Sequence, residues 1–204
     1  MRHLVKHPQC PVYWLPDNFR VNEMGKLYTQ LNDELAHFIQ QQKIFFVGTA
    51  AEDGRVNVSP KGLDTLSVVT KDRVVWLNLT GSSNETAAHL RENDRITLMF
   101  CAFEGDPLIL RLYGRAQVFH PRDAEWDSLV TLFPALPGAR QIIDMSIDLV
   151  QTSCGFGVPF FDFKADREQL EEWAGKKGPE GIRKYWEEKN QISLDGRPTG
   201  IIAE

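Results

Sequence analysis

Apolar positions follow two rhythms along this chain, and the change from one to the other marks its elements. Leu27, Leu31, Leu35, Phe38 and Ile39 recur at helical spacing, which predicts an amphipathic helix over roughly residues 24–42. From Ile44 onward the period shortens to that of strands. Ile44 to Ala50 is a buried run ending at Asp53-Gly54, a strong hairpin signal. Arg55-Val56-Asn57-Val58-Ser59 alternates, with Val56 and Val58 expected inward and Asn57 and Ser59 on the other face. Pro60 has no N–H to give to a ladder, so this strand ends there or lies at an edge. Leu66 to Thr70, a Lys71-Asp72 turn and Arg73 to Leu79 predict a second hairpin. A short helix over about 84–92 and a strand from Arg95 to Phe100 follow.

Leu108 to Val118 reads as a long strand, with Leu108, Leu110 and Leu112 on one face and Arg111, Tyr113, Arg115 and Gln117 on the other. A helix is expected after Pro121. Ile143, Met145, Ile147 and Leu149 then alternate with Asp144, Ser146 and Asp148 as a half-exposed strand. Six or seven strands joined mostly by tight turns, with helices as plugs, predict a mainly β fold: an antiparallel barrel with peripheral helices rather than a βαβ sheet. Beyond it, Asp166-Arg167-Glu168-Gln169 has a capping-box pattern opening a helix through Trp173, stopped by Gly175 and Gly178-Pro179. A second helix over about 179–189 leads to a turn at Asp195-Gly196. The start of the chain, with Pro8, Pro11 and Pro16 among Tyr13, Trp14 and Phe19, reads as an extended arm with apolar anchors. The 204 residues suit one domain, a barrel core over about 24–159 and a helical extension over 160–204.

Composition narrows the partners. At 42% hydrophobic and 25% charged residues the chain is an ordinary globular one. A net charge of −5 with no Lys/Arg cluster argues against nucleic acid. No apolar run reaches membrane-spanning length, and the residues after Met1 lack the core of a signal peptide, so a cytoplasmic protein with no membrane contact is expected. Cys10, Cys101 and Cys154 have no spacing that implies a disulfide framework, and His3, His7 and Cys10 do not make a metal motif. Three sequon matches, at Asn57, Asn78 and Asn84, are not acceptors in such a compartment, so their polar side chains need another explanation.

The most telling local feature is Gly81-Ser82-Ser83-Asn84-Glu85-Thr86, where the strand ending at Leu79 gives way to a helix. Such a junction points several backbone N–H groups and the positive end of a helix dipole at one spot, a ready phosphate seat. An ordinary N-cap has the same residues and remains an alternative.

The order of these pieces over roughly 40–118 resembles the pyridoxamine 5′-phosphate oxidase-like family of flavin mononucleotide (FMN)-binding split barrels. The matching residues are Asp53-Gly54, then Val56-Asn57-Val58-Ser59-Pro60-Lys61-Gly62, a hairpin, and Leu79-Thr80-Gly81-Ser82-Ser83-Asn84-Glu85-Thr86 leading to Leu90-Arg91-Glu92-Asn93. The resemblance implies an FMN-binding antiparallel split β-barrel with flanking helices, and a homodimer with its cofactor sites at the interface. It also implies a flavoprotein oxidoreductase acting on a small-molecule substrate. Carried over residue by residue, it places Asn57, Val58, Ser59, Lys61, Leu79, Thr80, Ser83, Asn84 and Thr86 at the cofactor. Lys61 would bring positive charge, and Asn57 and Ser59 would meet the ribityl hydroxyls or the ring edge. Arg111 lies on a strand near the family's site, where it or Arg115 can replace lost phosphate cations or serve the dimer interface. Cys154 and Gly155 belong to a loop, Ser153 to Pro159, that resembles the late segment reaching toward the partner's flavin.

The departures are specific. Val56 stands where the oxidase has a basic residue, Asn84-Glu85-Thr86 where it has Ser-Arg-Lys, and the chain ends Gly200-Ile201-Ile202-Ala203-Glu204 instead of in Arg-Leu-Ala-Pro. These changes remove phosphate-binding cations and point away from pyridoxamine phosphate as substrate. A non-catalytic protein of the same fold holding FMN, haem or a deazaflavin is the alternative, and a barrel without cofactor is another. No side chain stands out as an acid, base or nucleophile, which fits chemistry carried by the cofactor.

Overall fold

The Asp53-Gly54 turn forms as predicted. Gly54 takes φ +87°, open to glycine but strained for other residues, and joins β2 (Phe45–Thr49) to β3 (Asn57–Lys61). The structure is a computed structural model that describes residues 25–203; the Pro8–Phe19 arm and the His3, His7 and Cys10 group lie outside the described residues. The remaining strands are β1 (Leu27–Tyr28), β4 (Leu66–Thr70), β5 (Arg73–Leu79), β6 (Arg95–Cys101), β7 (Ile109–Phe119) and β8 (Ala139–Ser153). The helices are α1 (Asp33–Gln41), α2 (Glu85–Glu92), α3 (Trp126–Leu129) and α4 (Gln169–Tyr185).

All pairings are antiparallel, in the order β3-β2-β6-β7-β8-β5-β4, with β1 added to β8. The sheet is open, yet it curls on itself. Three strands separate β2 from β5 in that order, and still Phe45 of β2 meets Trp76 of β5 edge-on at 6.0 Å and stacks on Phe100 at 5.8 Å. Val47, Leu98, Leu110, Leu112 and Met145 fill the same interior, all buried, and α1 closes it with Leu35 and Ile39. This is an antiparallel split β-barrel with flanking helices.

Several predicted boundaries move. The helix expected over 24–42 begins only at Asp33, because Asn32 caps it by accepting from the Leu35 N–H at 2.8 Å, while Leu27 and Tyr28 pair with Gln151 and Val150. Eight strands form rather than six or seven, the extra one being that short pairing. The strand expected near Ile143–Leu149 runs from Ala139 to Ser153. Gly175 does not stop its helix, and Glu168 at the start makes no side-chain cap bond; the break falls at Gly178, with φ 63°, after which the helix resumes. Trp186–Asn190 continues it as a π-turn.

The largest correction concerns β3. Opposite residues of an antiparallel pair share a face, and the register sets Lys61 against Phe45, Ser59 against Val47 and Asn57 against Thr49. Asn57, Ser59 and Lys61 therefore lie on the inner face, while Val56 and Val58 point outward, 72% and 66% exposed. Alternation reveals that a strand has two faces without saying which one is inside. On β7 the apolar face is the inner one: Leu110 and Leu112 are fully buried, and Arg111 and Tyr113 lie outside.

Among the described residues no helix is long and apolar enough to cross a membrane, and no group of three or more metal-ligating side chains occurs.

Candidate functional site

The inward turn of β3 brings three predicted residues together. Asn57 Nδ2 lies 3.3 Å from Ser59 Oγ, 3.3 Å from Thr86 Oγ1 at the start of α2, and 3.4 Å from Thr49 Oγ1 of β2. Thr49 Oγ1 is in turn 3.1 Å from Nδ1 of the buried His89. Five polar side chains from β2, β3 and α2 thus form one connected cluster, with no carboxylate among them. Thr49 and His89 carry no signal of this in the sequence. Thr49 closes an apolar run, and the helical spacing of His89 to Thr86 gives no reason to aim it at a strand.

Lys61 ends the same strand face. Its Nζ sits 4.9 Å above the Trp76 ring, a cation–π contact, and it makes no ion pair among the described residues. Burial, followed by the nearby charge of Arg140, presses its pKa down to about 8. Lys61 also lines a groove of about 1130 Å³ between the β2–β3 edge and the 161–167 segment, walled by Phe46, Phe103, Phe161 and Phe163.

The Leu79–Thr86 junction is in place between β5 and α2, but the chain's own C-terminal part covers it. Thr80 Oγ1 donates to the Gly138 carbonyl at 2.7 Å and accepts from Trp186 Nε1 at 2.8 Å. Asn84 is 2% exposed; it donates to the Asn190 carbonyl at 3.3 Å, and its own Oδ1 has no partner. Leu79 packs with Val75, Leu77 and Phe133 in a second apolar cluster. Ser83 is exposed at its side chain, while its carbonyl accepts from Arg140 Nη1 at 3.0 Å. The side chains of Asn78 and Asn84, two of the three sequon residues, are thus structural: Asn78 donates to Gln141 Oε1 at 3.0 Å in the interior.

Other predicted residues lie elsewhere in the chain. Val58 and Arg111 are on the outer sheet face, where Arg111 Nη1 donates to Ser153 Oγ at 3.2 Å. Arg115 pairs with Asp94 at 2.6 Å on the surface. Neither arginine joins Lys61 within one chain. Cys154 is exposed, and Gly155, at φ 66°, packs against the Leu108 backbone so closely that a Cβ would come within 2.7 Å of its nitrogen. That close approach is what the glycine provides within the chain.

Residues 31–154 match the family described as pyridoxamine 5′-phosphate oxidase. The chain is 37% identical over 195 residues to the pyridoxamine 5′-phosphate oxidase family protein ustO of Aspergillus flavus, a match spanning 86% of this chain and 78% of that protein. Similar solved structures include a candidate pyridoxamine 5′-phosphate oxidase from Lactobacillus delbrueckii, with TM-score 0.49 and 19% identity over 60% of this chain and 94% of the other. An FAD-binding protein from Mycobacterium smegmatis has TM-score 0.46 and 11% identity over 61% and 96%.

Proposed function

The chain belongs to the pyridoxamine 5′-phosphate oxidase family, and on that premise we propose that it is a homodimeric flavoprotein that binds FMN and oxidises or reduces a small molecule other than pyridoxamine 5′-phosphate. The observation that carries this reading is the acid-free cluster of Thr49, Asn57, Ser59 and Thr86, beside a partly buried lysine with no counter-charge among the described residues. FMN combines a polyhydroxyl chain with a phosphate dianion, and this donor set suits both. Neutral hydroxyls and an amide meet the chain without repelling it, and Lys61 supplies charge to the anion.

When bound, the flavin supplies hydride and electron transfer, which explains why no acid, base or nucleophile stands out. The protein's own part is positional. His89 and Thr49 hold the Asn57 amide from behind, so the inner face of β3 presents a fixed polar edge. The aromatic walls of the adjoining groove exclude water from a substrate lying beside Lys61.

Pyridoxamine 5′-phosphate would need a second phosphate pocket, and the cation of the C-terminal segment is committed elsewhere. Arg197 is bound to Asp53 and to Glu92 at 3.1 Å, and Glu85, in the place of a family cation, accepts from the Leu194 N–H at 3.0 Å.

The dimer is supported by the outer sheet face. Val56 and Val58 expose apolar surface on an edge strand, next to half-buried Phe46 and Met99, a combination that soluble monomers avoid. Val58→Lys is expected to convert the protein to monomers in sedimentation at micromolar concentration and to weaken FMN binding at least tenfold. A dimer with full FMN affinity in this variant would refute an interface site on this face.

A further inference from the structure

The turn before β3 and the helix α2 meet at a corner rich in acid. Asp53, Glu85, Glu92 and Asp195 stand there, and the partner of each depends on the C-terminal segment. Arg197 binds Asp53 and, at 3.1 Å, Glu92. The Leu194 N–H donates to Glu85 Oε1 at 3.0 Å. Asp195 accepts from the Arg55 N–H at 2.8 Å and pairs with its guanidinium. These bonds come from one short hairpin loop, in which Ile192 pairs with Pro198, the Ser193 N–H reaches the Arg197 carbonyl at 2.8 Å, and Gly196 turns the chain at φ 80°.

Both ends of the loop are fixed in the interior. Asn190 and Thr199 are buried, and Thr199 Oγ1 donates to the Asn190 carbonyl at 2.6 Å. Between them Ile192 and Leu194 are exposed, so apolar burial does not account for where the loop lies, and its polar bonds to the corner do. Glu85 is the acid nearest the polar face. It is the first residue of α2, and its neighbour Thr86 supplies the Oγ1 that meets Asn57 at 3.3 Å. A carboxylate free to turn there is drawn to the unpaired N–H groups and dipole of the helix start, which attract any anion. It also repels an anion on the adjoining face, well inside a Debye length of about 8 Å. The bond from Leu194 turns it toward the loop instead. Where the family carries a cation, this chain thus carries an acid restrained from 109 residues away.

We propose that the C-terminal hairpin loop, through the Leu194 N–H and the Arg197 guanidinium, is a specificity element: it holds Glu85 and the neighbouring carboxylates off the polar face and so lets that face take an anionic ligand. That the anion is FMN rests on the function proposed above. Leu194 and Arg197 are positioning residues, which act on the ligand through the acids they restrain. A loop that merely supported the fold would affect charged and uncharged ligands alike, whereas an electrostatic clamp separates them.

The test excises residues 191–198 and joins Asn190 to Thr199 through two glycines, which their contact permits. Asp195 and Arg197 leave together, so the net charge of −5 is kept. FMN and riboflavin, which lacks the phosphate, are titrated into the intact and the excised protein. Excision should lower FMN affinity about tenfold and riboflavin affinity by less than about twofold. Glu85→Gln should then recover most of the loss in the excised protein, while changing FMN affinity in the intact protein by less than about twofold. FMN affinity untouched by excision, equal losses for the two flavins, or no recovery with Glu85→Gln each overturns the proposal. If the excised protein does not fold, Arg197→Gln, which frees Asp53 and Glu92 and loosens the loop, should lose several-fold of the FMN-to-riboflavin ratio, and full retention overturns it likewise. If neither flavin binds the intact protein, the flavin reading falls, and millimolar inorganic phosphate tests the clamp alone. A melting temperature raised by phosphate more in the intact protein than in the excised one upholds the clamp, and an equal rise or none overturns it.

Discussion

Gly114→Ala is expected to cost about 3 kcal/mol or more of unfolding free energy, the upper end of what overpacking does. Gly114 lies in β7 opposite Ile147, where the β7–β8 register shifts. A Cβ there would overlap the Ser146 carbonyl oxygen, lie 3.0 Å from its carbonyl carbon and 3.1 Å from the Ile147 Cα. All three are backbone atoms of the neighbouring strand, so no side chain can swing aside, and β7 and β8 must separate or slide. These two strands form the middle of the sheet, with Leu112 and Met145 inside. Gly175→Ala is the control. It lies in α4, and a methyl group added there would meet nothing within 4 Å, so alanine should stabilise by up to about 1 kcal/mol. Urea titrations of the two variants read both effects. A Gly114→Ala midpoint matching wild type would mean that the strands do not meet in this register.

Lys61→Met is expected to weaken FMN binding roughly 10- to 100-fold, the value of about 1.5–3 kcal/mol for hydrogen bonds to charged groups. Its pH dependence makes the prediction specific. In the free protein Lys61 titrates near 8, lowered from 10.5 by burial and by Arg140. An arriving phosphate favours the charged form and raises that value, so binding takes up a proton when the pH lies above about 8. The sign follows: affinity is greatest below pH 8 and declines as pH rises beyond it. Lys61→Met should flatten this decline as well as lower the affinity. A variant with lower affinity and an unchanged slope above pH 8 would move the responsible group elsewhere.

Turn chemistry and the apolar rhythm make most of the fold legible. Asp53-Gly54 and Lys71-Asp72 form the hairpins expected of them, and Leu110 and Leu112 lie where their period puts them. Failures come where local pattern has no sign or no reach. The faces of β3 are the reverse of those expected because an open seam keeps Asn57 and Ser59 inside and leaves valines outside. The first helix is shorter than its pattern because Leu27 fits a helical period as well as the short strand it forms. The candidate site is half legible: Asn57, Ser59 and Thr86 converge, while Thr49 and His89 join them without a local signal, and the burial of Arg140 is just as hidden. An arginine after Gly138-Ala139 looks like any surface strand end until Asn190 covers it. That partner is 50 residues away and meets it only through tertiary packing.

The central claim is that this polar face holds FMN, and equilibrium titration tests it most directly. FMN added to the purified, ligand-free protein should lose fluorescence or shift its absorbance until one flavin is bound per chain. Asn57→Leu, which removes the centre of the cluster, should require clearly more flavin to reach half-saturation. A folded wild-type protein that leaves the spectrum of FMN unchanged at millimolar protein would contradict the account.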